Sequence, residues 1–219
     1  MSYNINQHSF WGSLSPLGGL TGAGILIMAS ARLSWAVTAA GCLFWVYGLT
    51  AIAYSFLLSA NKYNILPVQG RSAVFTCIAV FFGSIYALLF WLLCPFAAFE
   101  VFLILMLVPL FCANSCAHIH STAGNSHSDI YERLMDAVSM AGTLAGLLAA
   151  FSILREPLAF CSLSFPGTYQ GMITIMYFSS GSFFPIGIFA SSCGALLLLG
   201  YFVCLYQYGR NKLYPGEYK

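Results

Sequence analysis

Val108-Pro109-Leu110-Phe111-Cys112-Ala113-Asn114-Ser115-Cys116-Ala117-His118-Ile119-His120 is the stretch that decides how this chain is read. It falls inside an apolar run that begins just after Glu100. A proline within such a run removes a backbone donor and presses on the preceding turn. In lipid the freed backbone groups must find partners in protein or in a wet cavity, so an interruption there marks a site. Small and polar residues follow at once: Asn114, Ser115, Cys116, His118 and His120. A weaker echo, Trp11-Gly12-Ser13-Leu14-Ser15-Pro16-Leu17, lies near the N-terminus. The expected helix breaks are therefore Pro16, Pro109 and Asn114, set in a membrane scaffold.

Composition supports the scaffold. Of 219 residues 60% are hydrophobic and only 6% charged, against about 25% charged in a soluble domain. A bilayer-spanning helix needs ~20 apolar residues, and the chain has room for six with short loops. A net charge of +2, scattered along the chain, excludes nucleic acid as a partner. Met1 to Trp11 contains no Lys or Arg, so the first span is expected to serve as a retained start signal. The eight cysteines (42, 77, 94, 112, 116, 161, 193 and 204) lie mostly in apolar runs, where Cys behaves as a small hydrophobe, and include no Cys-x-x-Cys pair.

Charged residues punctuate the spans. Nothing is charged between Arg32 and Lys62, between Arg71 and Glu100, or between Glu100 and Asp129. The spacing predicts six spans, at 13–31, 35–60, 72–93, 97–118, 132–154 and 183–208, in one all-α membrane domain over 1–219. Pro157 is expected to stop the fifth span, with Arg155 suiting the dipole at its C-terminal end. Six crossings put both termini on one side with Lys62, Arg71, Arg133, Arg210, Lys212 and Lys219, leaving Arg32 and Arg155 opposite. The positive-inside rule makes the richer side cytoplasmic.

Three spans per half, each half opening on a proline-interrupted helix, suggest an inverted 3+3 repeat of about 11–94 and 96–208. Gly18, Gly19, Gly22 and Gly24, with Gly142 and Gly146, are expected to let helices approach closely.

Candidate chemistry is sparse. Cys112 and Cys116, four apart, share a helical face, and His118 and His120 follow. Thiolate and imidazole suit iron–sulfur clusters, copper or zinc, although such residues in apolar helices more often only pack. Glu100 stands near the outer end of the fourth span. It either collects a cation bound for a central site or, as the simpler reading has it, complements the positive end of the helix dipole. Asp129, Glu132, Arg133 and Asp136 read as a solvated helix start, capped by Ser128 or Asp129.

Taken together, Pro109-Leu110, Asn114-Ser115, Asp136, Arg155-Glu156-Pro157-Leu158-Ala159-Phe160 and Ser162-Leu163-Ser164-Phe165-Pro166-Gly167 resemble, in residue type and spacing, the paired six-span membrane subunits of the Rnf electron transport complex. The same family includes subunits of the sodium-pumping NADH:quinone reductase. Ser182-Phe183-Phe184 is similar to that family's entrance to its sixth span. The resemblance implies a 3+3 inverted repeat that pairs with a paralogous six-span subunit in the bacterial cytoplasmic membrane. Half-helices in spans 1 and 4 would each bring a Cys to the centre. There four thiolates hold an iron centre, a [2Fe–2S] cluster, that passes electrons while Na+ or H+ moves.

The chain departs from that pattern where it matters. Ser15 and Ser115 occupy both expected ligand positions, and Cys116 lies one residue late. One residue on a helix is a swing of about 100 degrees, so Cys116 is no simple replacement. The expectation is a divergent subunit, not an enzyme by itself, with its iron centre altered or lost. A six-span small-molecule carrier, such as the substrate-binding subunit of a vitamin importer, fits length and hydropathy equally well. A purely structural partner is the third reading.

Overall fold

The computed structural model describes residues 16–60, 68–122, 130–167, 172–178 and 186–213. Six α-helices dominate: α1 (Pro16–Ala29), α2 (Leu33–Ala60), α3 (Val68–Leu93), α4 (Pro95–Thr122), α5 (Ile130–Phe160) and α6 (Ser192–Leu213). Between α5 and α6 lie two short strands, β1 (Ser162–Pro166) and β2 (Met172–Tyr177), and a 3-10 turn at Gly187–Ala190.

Segments of α2, α3, α4, α5 and α6, from 18 to 27 residues long, are apolar enough to cross a bilayer. A helix is the natural form for such segments because it satisfies its own backbone where water is absent. The chain is a multi-pass membrane protein. α1, at 14 described residues, is about 21 Å long and falls short of a ~30 Å hydrocarbon core by itself.

α2 is the axis of the bundle. Ala36, Ala39, Cys42, Leu43, Val46, Tyr47, Ala51 and Tyr54 are buried at spacings of three and four, a stripe that packs on α5, α3 and α4. Its hydroxyls turn inward onto their own helix. Thr38 Oγ1 donates to the Ser34 carbonyl at 2.8 Å, and Ser55 Oγ to the Ala51 carbonyl at 2.7 Å. Burial therefore leaves neither hydroxyl without an acceptor. α1 packs on α4 and α2 on α5; α3 runs along α2 and α4, whereas α6 rests on the 3-10 turn and touches α1. Phe202 of α6 also meets Phe151 of α5, ring centres 5.5 Å apart.

Several expectations change. α4 is one helix from Pro95 to Thr122, so Pro109 is a proline within a helix rather than its end. A glycine explains how it fits. Gly83 of α3 faces Pro109, and a β-carbon on Gly83 would stand 2.8 Å from the Pro109 Cβ and closer still to Cγ. The proline ring fills the notch a missing side chain leaves. Pro16 is the first residue of α1, where a missing N–H costs nothing.

Pro157 does not stop α5. The helix runs three residues further to Phe160, and Cys161, with φ 51° in the left-handed region, ends it. The sixth helix begins at Ser192, not 183.

The all-α expectation missed the hairpin. β1 and β2 pair antiparallel, Ser162 with Tyr177 through Pro166 with Met172, with a bulge where the register shifts between Leu163 and Ser164. β1 packs against α2 and α5.

The glycine reading is corrected in part. Gly22 does receive a neighbour, the Phe111 ring, which a β-carbon would meet at 2.7 Å. Gly24 and Gly146 face open space, and Gly142 has ordinary contact room. The close approaches made by Gly41 to the Tyr86 hydroxyl, and by Gly83 to Pro109, were not legible in advance because they depend on which helices become neighbours.

Candidate functional site

The densest polar structure lies where α1 ends, α2 begins and α5 ends. Arg155 and Glu156 are 2% and 1% exposed there, near the end of a long and largely apolar span. Two buried charges demand compensation, and the helix ends supply it.

Arg155 meets its partners one by one. Nε donates to the Phe189 carbonyl at 2.8 Å. Nη1 donates to the Ile27 carbonyl at 2.6 Å and to Ser30 Oγ at 2.9 Å. Nη2 donates to the Ala190 and Ser191 carbonyls at 3.3 and 3.1 Å. A guanidinium has five N–H donors, so each has an acceptor. Four acceptors are main-chain carbonyls at the C-terminal ends of α1 and the 3-10 turn, where helix dipoles are negative. The expected dipole partnership exists, but with neighbouring elements rather than with α5 itself.

Glu156 does the opposite job. Its Oε2 accepts the Leu33 backbone N–H at 2.7 Å, the first residue of α2. Arg32 holds the N-cap position, its carbonyl accepting from Ala36 N, but its side chain offers no acceptor. A carboxylate from 123 positions away supplies the missing cap. Adjacent residues of α5 thus fasten both sides of the α1–α2 turn, cation to the C-terminal end and anion to the N-terminal end.

The surroundings extend the fastening. Arg32 lies over the Phe160 ring at 4.9 Å and reaches Met172 Sδ at 3.0 Å, tying the hairpin to the same turn. Ser164 Oγ donates to Ser34 Oγ at 3.3 Å. Ser191 Oγ accepts the Gly194 N–H at 3.4 Å, starting α6. Ser152 Oγ is the buried side-chain oxygen without a partner among the described residues.

This arrangement is a lock. With its donors occupied by protein, Arg155 has none left for an anionic ligand. Replacing Glu156 with Gln keeps an acceptor for Leu33 but removes its charge. We expect a loss of about 1 kcal/mol, the difference between a charged and a neutral hydrogen bond. A thermal midpoint lowered by roughly 2–4 °C in detergent would register it.

The candidate metal residues sit elsewhere. Cys112 is 1% exposed on α4, next to Phe111, whose ring packs on Gly22 of α1. α1 and α4 therefore meet. Ser15 lies outside the described residues, as do the side chains of Asn114, Ser115, Cys116, His118 and His120. Among the described residues no three His, Cys, Asp or Glu side chains come together as a metal would need. Cys42, Cys77, Cys94, Cys193 and Cys204 carry free thiols. A [2Fe–2S] cluster takes four thiolates, and the sequence puts serine at both expected positions. The two serines that the resemblance places at the ligand positions do not fit such a cluster.

Glu100 is exposed, the sixth residue of α4. The dipole's influence fades within the first turn, so the simpler sequence reading loses its support. The Trp35 indole Nε1–H donates to Glu100 Oε2 at 3.4 Å, a long bond. The side chain lines an outward-facing groove between α3 and α4 rather than the bundle interior. Asp136 is exposed on the first turns of α5, whereas Ser128 and Asp129 and the side chains of Glu132 and Arg133 lie outside the described residues.

No established protein family matches the chain, and no curated protein is detectably similar to it.

Proposed function

We propose that the chain is a membrane subunit of a redox-driven, ion-translocating complex of the Rnf type, serving as helical partner to a paralogous six-span subunit in a bacterial cytoplasmic membrane. The observation that carries the reading is the packing of α1 on α4 through Gly22 and Phe111, with Cys112 buried beside it. An inverted 3+3 repeat relates the first helix to the fourth and the second to the fifth, and the contacts of α1 with α4 and of α2 with α5 are in keeping with it. The spacing from Pro109 to Glu156 adds to it, and the lock gives Arg155-Glu156 a reason to stand where it does. With α1 counted as a sixth crossing, six basic residues against two favour cytoplasmic termini. With serine at positions 15 and 115, the subunit shapes the electron path without furnishing cluster ligands of its own.

The test is purification from native membranes in mild detergent, followed by identification of partners and iron analysis. A second six-span subunit together with flavin- or iron–sulfur-carrying subunits is the expected company. Isolation with nucleotide-hydrolysing subunits and no redox protein would replace the proposal with the carrier reading.

A further inference from the structure

The groove beside Glu100 has a chemistry of its own. It has a volume of about 600 Å³ and lies between α3 and α4, walled by Leu88, Trp91, Phe99, Phe102 and Leu103 around Glu100. Small-ligand clefts span roughly 300–1,000 Å³, so its size is that of a binding site. It opens outward on the bundle, where Trp91, Phe99 and Leu103 are 57%, 87% and 60% exposed. In a membrane that surface faces lipid.

Its depth follows from the helix ends. Glu100 is five residues beyond the start of α4, about 7.5 Å along the axis. Trp91 is two residues from the end of α3, and Trp35 is two residues beyond the start of α2. Tryptophans collect where headgroups meet hydrocarbon. The carboxylate therefore stands at headgroup level with apolar walls leading away from it.

Glu100 has no counter-charge among the described residues. Among the described residues its hydrogen-bond partner is the Trp35 indole, and no cation lies against it. Carboxylates beside hydrocarbon are costly unless paired. A ligand that fits must join an N–H-rich cation to an apolar chain, and the bilayer itself supplies one.

We propose that the α3–α4 groove holds an aminophospholipid, its primary ammonium hydrogen-bonded to Glu100 and an acyl chain along the Leu88, Phe102 and Leu103 wall. The primary ammonium donates charge-assisted hydrogen bonds to the carboxylate. Choline, equally positive, has no N–H to give. Selectivity between the two headgroups therefore isolates the hydrogen bond from simple charge attraction. The inference does not depend on the redox reading.

The full chain is reconstituted in nanodiscs of equal phosphatidylethanolamine and phosphatidylcholine, extracted in mild detergent, and its retained lipids counted by native mass spectrometry. Retained phosphatidylethanolamine should exceed phosphatidylcholine at least threefold, and Glu100→Gln should bring the ratio near one with an unchanged melting temperature. Ala87→Phe, which fills the groove without touching the carboxylate, should at least halve the lipid retained per protein. Equal retention of both lipids by the unaltered chain, or an undiminished preference in Glu100→Gln, would overturn the proposal. So would cross-links from Phe99 and Leu103 positions to a second copy of the chain in place of lipid.

Discussion

Arg155→Met is expected to lower the thermal midpoint on the order of 10 °C, the largest effect of any single change proposed for this protein. Methionine keeps the apolar stem but ends short of the guanidinium, so a small cavity adds to the loss. Four carbonyls and the Ser30 hydroxyl lose a donor together. Leaving several buried acceptors unmade costs roughly 3–5 kcal/mol in all, at about 1–3 kcal/mol for each, and each kcal/mol moves the midpoint of a chain this size by roughly 2–4 °C. Arg155→Lys should recover little, because an ammonium has fewer donors and no planar fork. The sharper comparison is Arg155→Met with Glu156→Gln in one chain. The two heads serve different helix ends, so their losses should add. If the double variant regained full stability, the residues would be stabilising each other and the lock would be misread. Differential scanning fluorimetry in detergent reads the unaltered chain and all four variants.

Gly83→Ala is expected to be nearly as damaging, despite adding one methyl group. The new carbon would stand inside van der Waals reach of the Pro109 ring. That ring cannot rotate away, so α3 and α4 must part along the hairpin joined by Cys94 alone. Overpacking of this kind costs about 1–3 kcal/mol, and a rigid neighbour puts it at the upper end. Gly146→Ala is the matched control, since nothing lies within 4 Å of its β-carbon. That change should be neutral or raise the midpoint, by up to ~1 kcal/mol of helix propensity. Pro109→Ala combined with Gly83→Ala should restore most of the loss, because the smaller side chain gives back the room. Full additivity of the two changes would show that the contact is not what limits the helix pair. A destabilised hairpin should also widen the groove, so lipid retention in Gly83→Ala is expected to fall alongside the midpoint.

The long apolar helices were legible in the sequence to within a few residues at most ends. Hydropathy is a local sum, and charged residues such as Arg32, Lys62, Arg71 and Glu100 mark where it fails. Helices within these spans follow because lipid offers no other partner to a peptide group. α1 and α4 do meet, but not at the interruptions the prolines suggest: α4 runs unbroken through Pro109, whose ring packs on Gly83 of α3. The hairpin escaped notice because its ten or so residues lack a clean alternation: in β2 the run Met172-Ile173-Thr174-Ile175-Met176-Tyr177 is apolar at nearly every position, and reads as more membrane span.

What only the tertiary structure decided is the meaning of single residues. Arg155 and Glu156 are neighbours in sequence, yet one closes α1 and the other opens α2, through bonds spanning more than 120 positions. Pro109 looks like a break until Gly83 is beside it. Glu100 looks like a dipole partner until it is counted six residues into α4 on an outward wall. Local order follows from the solvent each residue must face, which composition records. The work a side chain does depends on which distant backbone ends reach it, and only the packed bundle sets those distances.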